Sequence, residues 1–283
     1  MVVERALPFP DVTIGLISWR APETIAQTLK SYAEAGILEL FAARRIHFNE
    51  ISAADRAIAA AHGFVVSGSA ENLGIYGAVN AVAGAVETPY LLSLENDCPL
   101  VTDRAGLSGM LASALADMQA LDVPVFILRS RREPGEAFTR RARYEARFRP
   151  VWPIGTDPLA RRALPPALVR AYEDLRRPAL RGCALYAEED PTLRHPNVIR
   201  KTAHGNWVTS SATLNWTNNA ILVRTQFMRE VVLARVRSHP AATSLNGHQD
   251  IEAALKRDDW WRRQGFAMGQ SEPGAFTHRR LDR

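Results

Sequence analysis

Cysteine, lysine and long apolar runs are what this chain has least of. Only Cys98 and Cys183 occur in 283 residues, which excludes a disulfide framework and any CxxC zinc pattern. Cys98 follows an acidic turn with no base near it in sequence, so a buried thiol is expected there rather than a nucleophile. No apolar run approaches the ~20 residues that a membrane-spanning helix needs. The opening MVVERALPFPDV has no basic stretch leading into an apolar one, which predicts a cytoplasmic location. Lysine is confined to Lys30, Lys201 and Lys256, so the formal net charge of +5 is carried almost wholly by arginine. Internal repeats and low-complexity segments are absent, and the first strand runs into LISWRAPE rather than a glycine-rich, basic phosphate loop.

What is present is an alternation of strand and helix signals on a composition that is 47% hydrophobic. Strands are predicted at 12–18, 45–48, 64–67, 90–94 and 123–128, and helices at 22–32, 53–62, 78–86 and 105–121. Ser52 is expected to cap the second helix and Gly63 to stop it. That order predicts βαβ units and a mostly parallel sheet. From 130 to 205 the alternation gives way to mixed proline, arginine and aromatic residues, read as an irregular insertion rather than a second core. Regularity returns with a strand at 219–224 and a helix at 225–236. The expected organisation is one α/β domain over 1–283, with a nucleotide-binding half at 1–129, the insertion at 130–205 and a third section at 206–283.

Within that frame, Tyr90 to Leu94 reads as a buried strand broken by Asn96, Asp97 and Pro99. Glu95 and Asp97 leave it at the carboxyl end, two residues apart and on one side while the backbone stays extended. Ligands of open α/β sheets bind at that edge. Two converging carboxylates there suit Mg²⁺ or Mn²⁺, although a solvated acidic turn would have the same sequence. In LNGHQDIEAAL, Asn246 and Gln249 form a capping-box pattern that would put Asp250 in a first helical turn, placed to act as a general base or simply to meet the helix dipole. His278, after a Pro-Gly turn, could complete a mixed coordination shell. His195, His204 and His248 have no zinc-type spacing and are left out of the metal site. Arg129, Arg131, Arg132, Arg140, Arg141, Arg143, Arg147 and Arg149 form a dense basic segment, either a solvated helix face or a patch for anions.

Taken in order, VTIGLISWR from Val12, Asn72-Leu-Gly74, Asn80, Glu95-Asn96-Asp97, His248-Gln-Asp250 and Gly274-Ala-Phe-Thr-His278 resemble the motif series of GT-A-fold glycosyltransferases, the inverting family 2 group above all. The resemblance spans nearly the whole chain outside the arginine-rich insertion. It implies a GT-A-like, Rossmann-related central sheet flanked by helices. It also implies a divalent metal, Mn²⁺ or Mg²⁺, a UDP-, GDP- or dTDP-sugar donor and a hydroxyl-bearing glycan or other acceptor.

By that resemblance Glu95-Asn96-Asp97 corresponds to the DxD element, with Asp97 a metal ligand and Glu95 supporting the metal or the ribose. His278 matches the metal- or diphosphate-contacting histidine, and Asp250 the catalytic base. Ser18, Trp19 and Glu23 would border the nucleotide, and Asn72, Gly74 and Asn80 the donor diphosphate. Asn49, with Glu50, stands where many relatives carry an acid after the second strand, so the base remains open. Gln249 departs from the usual Glu before the catalytic Asp. Trp216, Thr217, Asn218 and Asn219 are expected to border the acceptor, with core packing the alternative for Trp216. Two rival readings are a nucleotidyltransferase on a related sheet and a non-enzymatic protein that binds nucleic acid or an anionic membrane through Arg129 to Arg149. On the transferase reading no nucleic-acid partner is expected, and peripheral contact with the inner face of a membrane is the remaining role for the arginines.

Overall fold

The computed structural model describes residues 7–136, 139–148, 178–241 and 247–281. Nine strands form one sheet in the order β3-β2-β1-β4-β8-β5-β9-β7-β6. They are β1 (Phe9–Trp19), β2 (Phe41–Asn49), β3 (Val65–Gly68), β4 (Tyr90–Glu95), β5 (Val125–Ile127), β6 (Arg200–Lys201), β7 (Trp207–Ser210), β8 (Ile221–Arg224) and β9 (Ala267–Gln270). The first four are mutually parallel, as the alternation predicts. Past β4 the sheet is mixed: β8 runs antiparallel to both β4 and β5, while β5 and β9 are parallel.

Alternation along each strand divides the core in two. Ile14 and Leu16 of β1, Leu92 and Leu94 of β4, Phe126 of β5 and Leu222 of β8 pack on one face, with Ile25 and Leu29 of helix α1 (Pro22–Glu34) and Leu107 and Leu111 of α4 (Arg104–Ala120). Their neighbours Ile17, Leu91, Val125, Ile127, Ile221 and Val223 face the other way. There they meet Val79 and Val82 of α3 (Gly74–Ala85), the helical run through Met228–Leu233 and the Ile251–Lys256 helix. Both faces are therefore covered, and the architecture is mixed α/β with a central sheet flanked by helices.

Helix ends follow local chemistry. Ser52 caps α2 (Ala53–Ala61) and closes a capping box with Asp55, and Gly63 continues past its end at φ +69°. Asp103 caps α4 by accepting from Gly106 N. Within the insertion the described residues hold helix α5 (Thr139–Phe148) and short helical pieces at Pro178–Arg181, Ala184–Ala187 and Pro191–Arg194.

The arginine segment is not one exposed patch. Arg129 and Arg131 are buried, 5% and 8% exposed. Arg131 donates to the carbonyls of Leu185, Glu188 and Glu189, pairs with Glu272 and lies over the Trp207 ring. Burial pushes its guanidinium down to about 10, so it is a structural tie between the insertion and β7 rather than an anion-seeking surface group. Arg141 pairs with Glu145 one turn along α5. Arg149 and the side chains of Arg140 and Arg147 lie outside what the structure describes.

Candidate active site

A crevice of about 360 Å³ opens at the carboxyl edge of β1, β2 and β4. Its wall includes Ser18 and Trp19 from the end of β1, Asn49 from β2, Asn72 and Gly74 before α3, and Glu95, Asn96 and Asp97 from β4 and its turn. Asn218, Asn219, His248, Gln249, Asp250, Glu252, His278 and Arg280 complete it. Residues more than 150 positions apart in sequence thus meet because strand ends and the final segment converge on one edge.

The acidic turn is clamped by α1. Pro22 at the start fixes the helix backbone, and the apolar Ile25 and Leu29 seat it on the sheet. Next to those residues, Thr28 Oγ1 donates to Asn96 O at 2.6 Å and Tyr32 Oη to Cys98 O at 2.6 Å, while Ser31 Oγ accepts from Leu100 N at 3.0 Å. Helical spacing puts these hydroxyls on one side, where they take up the backbone groups of a turn that has no ladder of its own. Cys98 is fully buried, and burial pushes its thiol well up, which suits a packing role and not a nucleophile.

Glu95, Asp97 and His278 offer ligand atoms that all lie within 4.8 Å of one another. His278 Nε2 sits 3.0 Å from Asp97 Oδ2. Burial, then the charges of Asp97, Glu252 and Asp250, raise the Glu95 carboxyl to about 8, with Arg129 pulling the other way. Two carboxylate oxygens and an imidazole nitrogen, in a pocket whose negative charge is under-compensated, fit a hard or borderline divalent cation.

Asp250 is the N-cap of the Ile251–Lys256 helix rather than a first-turn residue: its Oδ1 accepts from Glu252 N at 3.0 Å. Gln249 Oε1 accepts from Ala241 N, and Asn246, the other half of the expected capping box, lies outside the described residues. Glu252 pairs with Lys256 at 2.8 Å, and among the described residues no protein donor meets Asp250 Oδ2. A carboxylate on the crevice wall that is held by one oxygen has the form of a proton acceptor.

The remaining sequence-predicted residues divide sharply. Asn49 is buried and fully used: Nδ2 donates to Asn72 Oδ1 and Gly74 O, while Oδ1 accepts from Leu73 N and Ser69 Oγ. It fixes the loop before α3 and has little left with which to read a nucleobase. Gly74 has φ +67°, and a Cβ there would collide with His248, so glycine lets that loop close against the turn that carries His248 and Asp250. Trp19 donates Nε1 to Glu50 at 2.7 Å and carries Arg20 over its ring.

Glu23, Asn80 and Trp216 do not line the crevice. Glu23 and Asn80 point to solvent from α1 and α3. Trp216 is 3% exposed, stacks edge-on against Trp261 and donates Nε1 to Asn218 Oδ1 at 2.9 Å; core packing takes it, and it orients an amide at the crevice wall.

Sequence reasoning missed His248, Glu252 and Arg280. The lack of zinc-type spacing excludes His248 from a metal site but says nothing about lining a pocket, and its place beside Gln249 and Asp250 is the signal that could have found it. Arg280 carries the alternation of the final strand-like segment two residues past His278, a signal that could have found it. Among the described residues Ser18 Oγ and Arg280 Nε are buried with no hydrogen-bond partner, so two residues of the wall carry unsatisfied polar atoms beside the acids.

No protein-family model and no curated protein sequence matches the chain. Among solved structures it is similar to S. aureus TarS 1–349, with a TM-score of 0.47 and 10% identity over 95% of this chain and 60% of that one. It is similar also to the mannosyltransferase PcManGT from Pyrobaculum calidifontis in complex with GDP-Man and Mn²⁺, with a TM-score of 0.35 and 13% identity over 43% of this chain and 36% of that one. A third is mannosyl-3-phosphoglycerate synthase from Rubrobacter xylanophilus, with a TM-score of 0.35 and 16% identity over 49% and 48%. The chain therefore spans less than two thirds of the length of each. Likenesses this low assign neither family nor reaction, and the functional reading rests on the crevice.

Proposed function

We propose that the chain is a metal-dependent glycosyltransferase that moves a sugar from a nucleotide-diphosphate donor to a hydroxyl acceptor with inversion. The observation that carries this is the meeting of the Glu95, Asp97 and His278 cluster with Asp250 in one crevice. A divalent cation held by those three side chains would supply positive charge opposite a departing diphosphate.

The chain's own residues divide the remaining work. Asp250, fixed by its helix cap, takes the proton of the acceptor hydroxyl as that oxygen attacks the anomeric carbon. The Arg280 guanidinium adds a second positive charge in the wall, and Ser18 Oγ gives the donor an unpaired hydroxyl to meet. Asn218 and Asn219 border the acceptor side, with Asn218 set by Trp216. Direct displacement by an acceptor that Asp250 activates implies inversion, since no second carboxylate is assigned to a covalent intermediate.

A nucleotide-sugar screen with UDP-, GDP- and dTDP-sugars, with Mn²⁺, Mg²⁺ or chelator, identifies the donor by a metal-dependent rise in Tm. NMR of the product formed with that donor is expected to show the opposite anomeric configuration; retained configuration would overturn the assignment of Asp250 as a simple base. No observation favours a nucleotidyltransferase over this reading.

A further inference from the structure

His278 belongs to no strand or helix, so something other than a ladder must hold its imidazole beside Asp97. Its neighbours are tied by Thr277 N to Pro99 O at 3.0 Å and Arg279 N to Asp97 O at 2.8 Å. Both backbone groups of His278 itself go elsewhere. Its N–H donates to Pro134 O at 3.3 Å, and its carbonyl accepts from Glu136 N at 2.9 Å. That loop is irregular too, and the group that shapes it is Arg129.

From the end of β5, Arg129 donates Nε to Pro134 O at 2.7 Å and Nη2 to Glu136 O at 3.1 Å. The guanidinium is buried, and the Arg129 carbonyl is in turn held by Gln270 Nε2 at 2.9 Å. A planar fork of donors satisfying two carbonyls two residues apart sets the curvature of the loop between them. Gly135, at that midpoint, has φ +78°, and a Cβ on it would run into the His278 backbone. The loop therefore lies flush on the segment that carries the imidazole. Glu136 also brings Oε2 to 4.0 Å from His278 Nδ1, the nitrogen turned away from Asp97.

We propose that Arg129 is a positioning residue for the cation site: through the Pro134–Glu136 bracket it fixes His278 against Asp97 and Glu95. The assignment rests on the reading of Glu95, Asp97 and His278 as cation ligands. It gives a place to an arginine whose sequence context suggested a solvated helix face or an anion patch. Outer partners that orient a ligating histidine govern affinity by 10- to 100-fold, and a similar dependence is expected here.

The test is a double-mutant cycle on Mn²⁺ affinity, read by calorimetry without donor or acceptor, with Tm followed in parallel. Arg129→Met and His278→Ala should each weaken Mn²⁺ binding about tenfold or more, and Arg129→Met should add no further loss in the His278→Ala background. Equal losses in both backgrounds would overturn the assignment, since Arg129 would then act on charge or on the fold at large. Unchanged affinity in Arg129→Met would overturn it as well. Should Arg129→Met fail to fold, Gly135→Ala carries the same cycle, because it displaces the exposed bracket without removing a buried cation. A wild-type protein that binds no Mn²⁺, or a His278→Ala variant that binds it normally, would instead remove the cation reading itself and the positioning role with it.

Discussion

Glu95 carries a clear pH signature among the described residues. Its folded-state carboxyl, raised to about 8 by burial and neighbouring acids, holds a proton that the unfolded chain releases near 4.5. Its contribution to stability is therefore fully present below the unfolded value and is lost as pH climbs through 8. Without metal, Tm should fall from pH 5 to 8 more in the wild type than in Glu95→Gln. Cation binding must displace that proton, so Mn²⁺ affinity should rise over the same interval and level off above it. A flat affinity between pH 6 and 8.5 by calorimetry would remove Glu95 from the ligand set. The pairing of Glu95 with Asp97 was legible in the sequence because a strand end fixes side-chain direction over two residues. Trp216 was not, since an aromatic before a strand suits a sugar face and a core equally, and only the Trp261 contact decides.

Elements with enough residues to show a period were legible, as were the short strands β3, β5 and β8 that lie in apolar runs; the remaining short strands were not. The strands β1 and β4 and the helices α1, α2 and α4 follow from apolar spacing and from Ser52 and Pro22 at helix starts. By contrast β6, β7 and β9 span two to four residues and exist because partners pair with them. The β6–β7 hairpin also depends on a distant carboxylate. Asp117 of α4, 2% exposed, accepts from Thr202 Oγ1, His204 Nδ1 and Asn206 Nδ2 at 2.7 to 2.8 Å. No local pattern announces a contact made across more than 80 positions. Asp117→Ala strands the buried Asn206 amide and removes two partly exposed bonds, and should cost roughly 2 kcal/mol by urea unfolding. Mn²⁺ affinity should stay unchanged, because the hairpin lies at the opposite edge of the sheet from β1 and β4.

At the scale of the whole molecule, burial decides what net charge does not. A formal charge of +5 and a run of arginines left a solvated helix face and an anion-binding patch open, and Arg129 and Arg131 belong to neither, since both are spent inside the fold. Among the described residues no helix is long and apolar enough to cross a membrane. Acid sensitivity should arise in the insertion. Burial, with Arg181 and Arg194 nearby, lowers His195 to about 4, and its ring packs against Tyr144 and Phe148 of α5. The unfolded chain takes up a proton near 6.5 that the folded one refuses, so stability is present above 6.5 and is lost as pH falls toward 4. His195→Gln should flatten Tm across that interval; an unaltered slope would place the acid sensitivity elsewhere.

The central claim is that Glu95, Asp97, His278 and Asp250 serve one crevice in two separable tasks. It is tested most directly by donor binding with Mn²⁺, measured calorimetrically on wild type, Asp97→Ala and Asp250→Asn, followed by transfer to an accepted hydroxyl. Asp97→Ala should weaken metal-dependent donor binding at least tenfold, whereas Asp250→Asn should bind donor like wild type and lose transfer by a factor of about 100 or more. Donor binding that ignores chelation and the Asp97 change, or full transfer by Asp250→Asn, would contradict the account.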